Sequence, residues 1–284
     1  MESALAMSSM DHLFDHIKQL PTIPKLLHEL VKSFNDENSR IDEMAAKIAM
    51  DQVISVKVLR IANSAALRRG DNNITSIEQA VLRLGIDRLR SLVIVCGIIK
   101  TFNPSPSFDK NKFWSDTFLV ATIAKALAQE TQTLDPETAF TAALIHNIGE
   151  LLIQSSLPKE AELINLAIQN GASRVDAQRE MLGFDYAQIG AELARRWNLS
   201  NSFVDAIDQQ LDPLSYQPVS QEAVLIRLAV FISFAWNAGV PTQAIITRFP
   251  QQLADQLGLD PAVIDGQLDA LHEEGNALTT LLTD

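Results

Sequence analysis

Apolar residues recur at three-and-four spacing along most of the chain, and the alternation that marks a half-buried strand is almost absent. After Pro24, the positions Leu26, Leu27, Leu30, Val31 and Phe34 share one helical face, and a proline just ahead suits a helix start. Asp42 is placed to cap a helix holding Met44, Ala45, Ile48 and Ala49. Asp51 is placed to cap the next, with Ile54, Val58, Leu59, Ile61 and Ala62 turned inward, and that helix ends near Asn63-Ser64. An asparagine there suits a left-handed turn that satisfies free carbonyls. Ser76 starts another helix through Ile77, Ala80, Val81 and Leu84, and Gly85 stops it. The run from Ile86 to Phe102 is almost wholly apolar in its second half, which predicts a central buried helix. Leu92 to Ile99 has the composition of a buried strand, but it continues a helical pattern and does not alternate.

Pro104 and Pro106 break the pattern. Beyond them the spacing predicts helices near 110–132, 136–156, 159–170, 173–182, 184–197 and 200–210. Asp212-Pro213 and Gln217-Pro218 make a second break, followed by helices near 219–238, 241–248, 250–257 and 260–274 with frayed ends. The expected fold is all-α: an N-terminal helical lobe over 10–105, a second helical lobe over 106–215, and a C-terminal helical extension over 216–284 packed on the second lobe. No internal repeat interrupts this organisation.

Charge changes the list of partners. The formal net charge is -12, from 23 basic and 35 acidic residues, and such a surface repels phosphate backbones. The basic runs are short (Arg68-Arg69, Arg83 to Arg90, Arg195-Arg196), so no nucleic-acid partner is expected. A lone cysteine, Cys96, forms no internal disulfide and fits a reducing compartment as a buried, small apolar residue. Met1 to Met10 lacks the basic and apolar regions of a secretory signal. The apolar runs Leu92 to Ile99 and Ala223 to Trp236 are short for a bilayer, and the second carries Arg227. These features predict a soluble, cytoplasmic protein with no membrane partner.

Catalytic constellations are sparse. Ser155, Ser156 and Ser200 lack the context of a nucleophile, and no glycine-rich phosphate loop occurs. His12, His16, His28 and His272 fall on helices expected at the surface and are read as solvated.

Several segments, taken in order, resemble the HDOD family. They are Leu20-Pro21-Thr22-Ile23-Pro24; Asp51 through Leu59 to Asn63-Ser64-Ala65, with Gln52 where the family has proline; and Ile74, Ser76, Ile77, Ala80, Val81, Leu84 and Gly85. Phe113-Trp114, Ala142 to Glu150, Gly183-Phe184 and Gly190 to Trp197 continue the series. The resemblance implies an HD-like helical bundle, an HDOD domain over 10–215, a regulatory role in bacterial signalling, and descent from HD metal-dependent phosphohydrolases. The framework positions Asn63, Ser64, Gly85, Trp114, Gly149 and Trp197 are retained.

The ligand positions are not. Active relatives hold divalent metal with His and Asp, and the metal lowers the pKa of a bound water. Carried over residue by residue, the first histidine becomes Asp116 and the His-Asp pair becomes His146-Asn147. The lysine that follows becomes Glu150, and the next histidine becomes Tyr186. The paired histidines fall among Asp208, Gln209 and Gln210, and the late aspartate becomes Val230. The resemblance therefore implies a degenerate site with no metal, no cofactor and no catalytic residue. His146 is expected to be a hydrogen-bonded core histidine and Asn147 to cap or tether a helix. Asp116 and Glu150 are expected to pair with His146 or with solvent. The function expected is that of a non-catalytic regulator that acts through binding of a protein partner or of a small regulatory ligand. The alternative is a metal-dependent phosphohydrolase with non-standard ligands, with Asp116, His146 and Glu150 improvising a site.

Overall fold

The computed structural model describes residues 10–11, 13–15, 17, 41–63 and 73–283. The Leu20–Pro24 motif, the helix expected after it, Ser64, Arg68-Arg69, His12, His16 and His28 lie outside the described residues. Among the described residues every regular element is helical, which makes the fold all-α.

The first lobe begins with α1 (Ile41–Ala49) and α2 (Gln52–Ala62). The backbone is already helical at Ile41, and the side chain of Asp42, expected as a cap, lies outside the described residues. Asp51 caps α2 as expected, its Oδ1 accepting from Val53 N and Ile54 N at 3.1 Å each. Its other oxygen takes Lys100 Nζ at 3.0 Å, so the cap also ties down a later helix. Asn63 departs from the expected left-handed turn: its φ is -95. Its carboxamide instead accepts from Ile74 N and donates to Ile74 O, both at 2.8 Å. Both groups of one amide thus satisfy both backbone groups of a residue beyond the turn.

Ser76 caps α3 (Ile77–Leu84), and Gly85 ends it at φ 81, a conformation that disfavours a side chain. Next comes α4 (Ile86–Thr101), in which every residue from Leu92 to Ile98 other than Gly97 is a buried apolar or thiol side chain. The strand-like composition of that run is explained by burial on all sides.

The second lobe is built around α5 (Lys110–Gln129), whose side chains from Thr117 to Ala124 are all buried. It packs against α6 (Pro136–Ile145) and α12 (Gln221–Asn237). The single helix expected over 136–156 is interrupted. The chain turns at His146-Asn147, where Asn147 leaves helical geometry (φ -114, ψ 22), and α7 (Ile148–Ser156) follows. Then come α8 (Pro158–Gln169), α9 (Arg174–Leu182), α10 (Tyr186–Arg196) and α11 (Asn201–Gln209). Asp185 starts α10 with a reciprocal capping box to Gln188 and also holds Arg179 at 2.7 Å.

The C-terminal extension continues with α13 (Thr242–Thr247) and α14 (Gln251–Leu257). The helix expected over 260–274 is replaced by a 3₁₀ turn, Pro261–Ile264, and by α15 (Leu268–Thr283). Asp260 caps the short turn, and Gly266 takes φ 70 before α15 begins. α15 lies along α5 so closely that a Cβ on Gly275 would sit 3.2 Å from the Leu119 backbone. It also meets α2, and Glu274 pairs with Arg88 on α4 at 2.7 Å. The extension therefore touches elements of both lobes. Among the described residues no helix is long and apolar enough to cross a membrane.

Candidate functional site

A cleft of about 670 Å³ opens between α5, the α6–α7 junction, α8, α9, α10 and α12. The break after Ile145 creates its floor. His146 closes α6, and its Nδ1 lies 2.5 Å from the carbonyl of Ala143. A carbonyl only accepts, so Nδ1 carries the proton and Nε2 is left as an acceptor. Burial lowers the imidazole pKa from 6.5 to about 4, against the opposing pull of the Ala143 bond. His146 is thus a core histidine bonded to backbone, as its isolation in the sequence suggests.

That depressed pKa carries a pH dependence of definite sign. Between the folded value of about 4 and the ordinary 6.5, the unfolded chain binds a proton that the folded chain excludes. The contribution is full above 6.5 and is lost as the pH falls towards 4. From about pH 7 to about pH 5 the protein should lose roughly 2 kcal/mol more stability than His146→Gln. Denaturant melts of both proteins at the two pH values check this, and parallel pH dependence would refute it.

Asn147 tethers, as expected: its Nδ2 donates to Thr117 Oγ1 on α5 at 2.8 Å. Its side chain makes no capping bond, although it stands at the start of α7. Glu150, one turn later, is buried and fully engaged. Oε1 meets Arg174 at 2.6 Å and Gln154 Nε2 at 2.8 Å, and Oε2 accepts from Gln178 Nε2 at 2.6 Å. Gln178 in turn accepts from Tyr186 N at 2.8 Å, and Gln154 exchanges bonds with Asn165 at 3.1 and 3.2 Å. Asp116 faces the cleft from α5, paired with Lys112 at 3.0 Å and bonded by Asn237 Nδ2 at 3.0 Å. Neither carboxylate pairs with His146, which corrects the expectation drawn from sequence. Both find nearer cations on α5 and α9.

Tyr186 lines the same cleft, its hydroxyl pKa pushed up to about 12 by burial. Val230 lines it as well. The glutamines diverge. Gln210 lies behind the wall, its Nε2 donating to His146 O at 2.7 Å and Ile207 O at 2.8 Å. Gln209 turns away, its Oε1 accepting from Ser220 N at 2.8 Å. Asp208 pairs with Arg195 at 3.3 Å. Asp116, His146, Asn147, Glu150 and Tyr186 therefore come together, whereas Asp208 and Gln209 do not join them. Sequence reasoning missed Arg174, Asn165, Ser233 and Asn237. Only the Lys112-Asp116 pair left a signal, its four-residue spacing.

The framework residues described lie outside the cleft's lining. Trp114 is buried and stacks on Phe118, with ring centroids 5.7 Å apart. Trp197 packs near Phe102 at 6.0 Å. Gly149 lets α7 touch α10, since a Cβ there would meet Tyr186 O at 2.0 Å. Cys96 is buried and its thiol is pushed up to about 12 by burial, which fits a packing role. His272 is not simply solvated: it is half-buried, 6.4 Å from the Trp236 ring and hydrogen-bonded with Asn276 at 3.2 Å.

A divalent metal does not fit this donor set. Among the described residues no three His, Cys, Asp or Glu side chains converge on one point. The buried carboxylate already carries a guanidinium and two amides, and the asparagine has turned its amide to a threonine.

The sequence pattern of the HDOD domain matches residues 20–213. An uncharacterised protein of Treponema pallidum (strain Nichols) is 26% identical over 197 residues, covering 68% of this chain. This chain spans only 38% of that relative's length. Among solved structures, a candidate phosphohydrolase from Shewanella amazonensis SB2B is 34% identical, with a TM-score of 0.81 over 95% of this chain and 97% of that one. An HDOD domain protein of unknown function from Geobacter sulfurreducens is 23% identical, with a TM-score of 0.80 over 97% and 99% of the two chains. A candidate signal transduction protein from Marinobacter aquaeolei VT8 is 21% identical, with a TM-score of 0.78 over 98% of this chain and 66% of that one. The last two likenesses concern the fold alone.

Proposed function

Since the chain belongs to the HDOD family, we propose that it is a non-catalytic, cytoplasmic regulator in bacterial signalling, acting by binding a protein partner and a small regulatory ligand. One observation carries this reading. The carboxylates and the asparagine at the metal-ligand positions are engaged with other partners, above all Glu150 with Arg174, Gln154 and Gln178. A metal would have to displace a guanidinium from a buried carboxylate before it could activate water. The framework of the fold is kept meanwhile, as Trp114, Gly149 and Trp197 attest.

The rival reading is a metal-dependent phosphohydrolase with non-standard ligands. It draws on the description given to the Shewanella amazonensis relative. Metal titration separates the two. A ligand specific to the folded state stabilises it by about 2.7 kcal/mol at a hundredfold excess over Kd. For a protein of this size each kcal/mol moves the midpoint by about 2–4 °C. A micromolar site should thus raise the melting midpoint by about 5–10 °C in sub-millimolar metal. No shift beyond experimental error is expected with Mn²⁺, Mg²⁺, Ni²⁺ or Zn²⁺, nor in Asn147→Asp. A saturable shift that His146→Ala abolishes would promote the phosphohydrolase.

A further inference from the structure

The cleft's chemistry goes further than a generic ligand site, provided that it binds and does not catalyse. Its charges cancel. The lining cations Lys112 and Arg174 are matched by Asp116 at 3.0 Å and Glu150 at 2.6 Å. A third lining carboxylate, Asp109, accepts only from the backbone N of Lys112, at 2.9 Å. Among the described residues every lining cation is paired with a carboxylate, and a further cation, Arg227, lies outside the lining although its charge reaches Tyr186.

The groups that are left over are neutral. His146 is buried, and with Nδ1 committed to Ala143 its Nε2 has no partner among the described residues. It therefore asks for a donor. Ser233 is only 3% exposed, lines the cleft, and its hydroxyl has no partner among the described residues. The Tyr186 hydroxyl is likewise without one. These three groups open on the cleft, so a ligand with matching polar atoms would exchange their solvent for its own hydrogen bonds. Around these groups the walls are aromatic. Phe108 and Phe113 lie 5.4 Å apart and tilted, and Phe234 stands 76% exposed at the rim. The volume of about 670 Å³ is that of an ordinary small-molecule pocket.

We propose that the cleft binds an uncharged, planar heteroaromatic molecule that donates an N–H to Nε2 of His146 and lies against Phe108, Phe113 and Phe234. The Nδ1 bond to the Ala143 carbonyl fixes the ring's orientation, so that Nε2 is the nitrogen presented to the cleft. The hydroxyls of Ser233 and Tyr186 then set the ligand's orientation.

The test compares probes of equal shape on the intact chain. Indole carries the N–H donor, 1-methylindole lacks it, and 3-methylindole keeps it while adding the same bulk elsewhere. Titrations followed by the imidazole nitrogen resonances of His146 should show indole and 3-methylindole binding at Nε2. The 1-methyl compound should bind about tenfold more weakly, the worth of one hydrogen bond. In His146→Phe the difference between indole and 1-methylindole should vanish. The comparison among probes stands on the unmodified protein even where that variant fails to fold. No indole binding, equal affinity for the two methyl isomers, or tighter binding of inorganic phosphate than of indole would overturn the inference. Those results leave the metal titration untouched, so a failed ligand class is distinguishable from a failed regulatory reading.

Discussion

Gly149→Ala is expected to destabilise the protein by more than about 4 kcal/mol, at the upper end of what a single substitution does. The added methyl would lie 2.0 Å from Tyr186 O and 2.6 Å from Gly190 N. Both are backbone atoms, so no side-chain rotation relieves the overlap. The opposing residue offers no slack, because a Cβ on Gly190 would itself meet Gly149 N at 3.1 Å. Two glycines face each other where α7 crosses α10, and room can be made only by parting the helices. Parting them would disturb Ile148, Leu152, Ile189 and Leu193, all fully buried. Since total stability is on the order of 5–15 kcal/mol, insoluble protein or a midpoint lowered by at least about 10 °C is anticipated. A circular dichroism melt decides, and a variant melting within about 2 °C of wild type would mean that the crossing is looser than described.

Glu150→Ala ranks second, with an expected loss of about 3–5 kcal/mol. The carboxylate is the acceptor for the amides of Gln154 and Gln178, both buried. Without it the Gln178 amide loses its acceptor at about 1–3 kcal/mol, the Gln154 amide keeps only Asn165, and a cavity is added. Arg174 contributes less to the loss, because its side chain is 42% exposed and can turn to water. Glu150→Gln keeps an acceptor and should cost noticeably less. Urea unfolding of the two variants, each with and without Arg174→Ala, separates the amide part from the ionic part. A loss below about 1 kcal/mol for Glu150→Ala would show that the amides find other partners.

Local chemistry was legible wherever the sequence carried its own punctuation. Asp51, Ser76 and Gly85 start and stop α2 and α3 as their side chains dictate. The burial of α4 followed from an apolar run with no polar face. The break between α6 and α7 was hidden because the apolar pattern runs through it without proline, and the glycine that matters sits after the turn. What ties that turn down comes from distant residues, Gln210 Nε2 donating to His146 O and Thr117 Oγ1 accepting from Asn147 Nδ2, which no local signal encodes. In the C-terminal extension the signals were present: Asp260-Pro261 and Gly266 interrupt a continuing apolar rhythm, and the rhythm prevailed in the reading.

The site divides in the same way. Resemblance to a family placed Asp116, His146, Asn147, Glu150 and Tyr186 in one region, and they share a cleft. It could not rank Gln209 against Gln210, neighbours whose amides point to different elements. Arg174 escaped notice because its importance rests on reaching Glu150 from α9, a matter of packing and not of spacing.

The placement of α15 across α5 has a kinetic side. Arg88 and Glu274 are 186 residues apart in sequence, and Thr122 reaches Leu271 O across 149. Such contacts return no energy until a long loop has closed, whereas hairpins such as α5–α6 form from near neighbours. Docking of α15 is thus expected to come after the folding transition state, which a φ-value analysis of Gly275 and its neighbours would check. Substitutions along the Gly275 seam then act on the unfolding rate and leave the folding rate almost unchanged. The lifetime of the folded state, more than the ease of reaching it, is written into that seam.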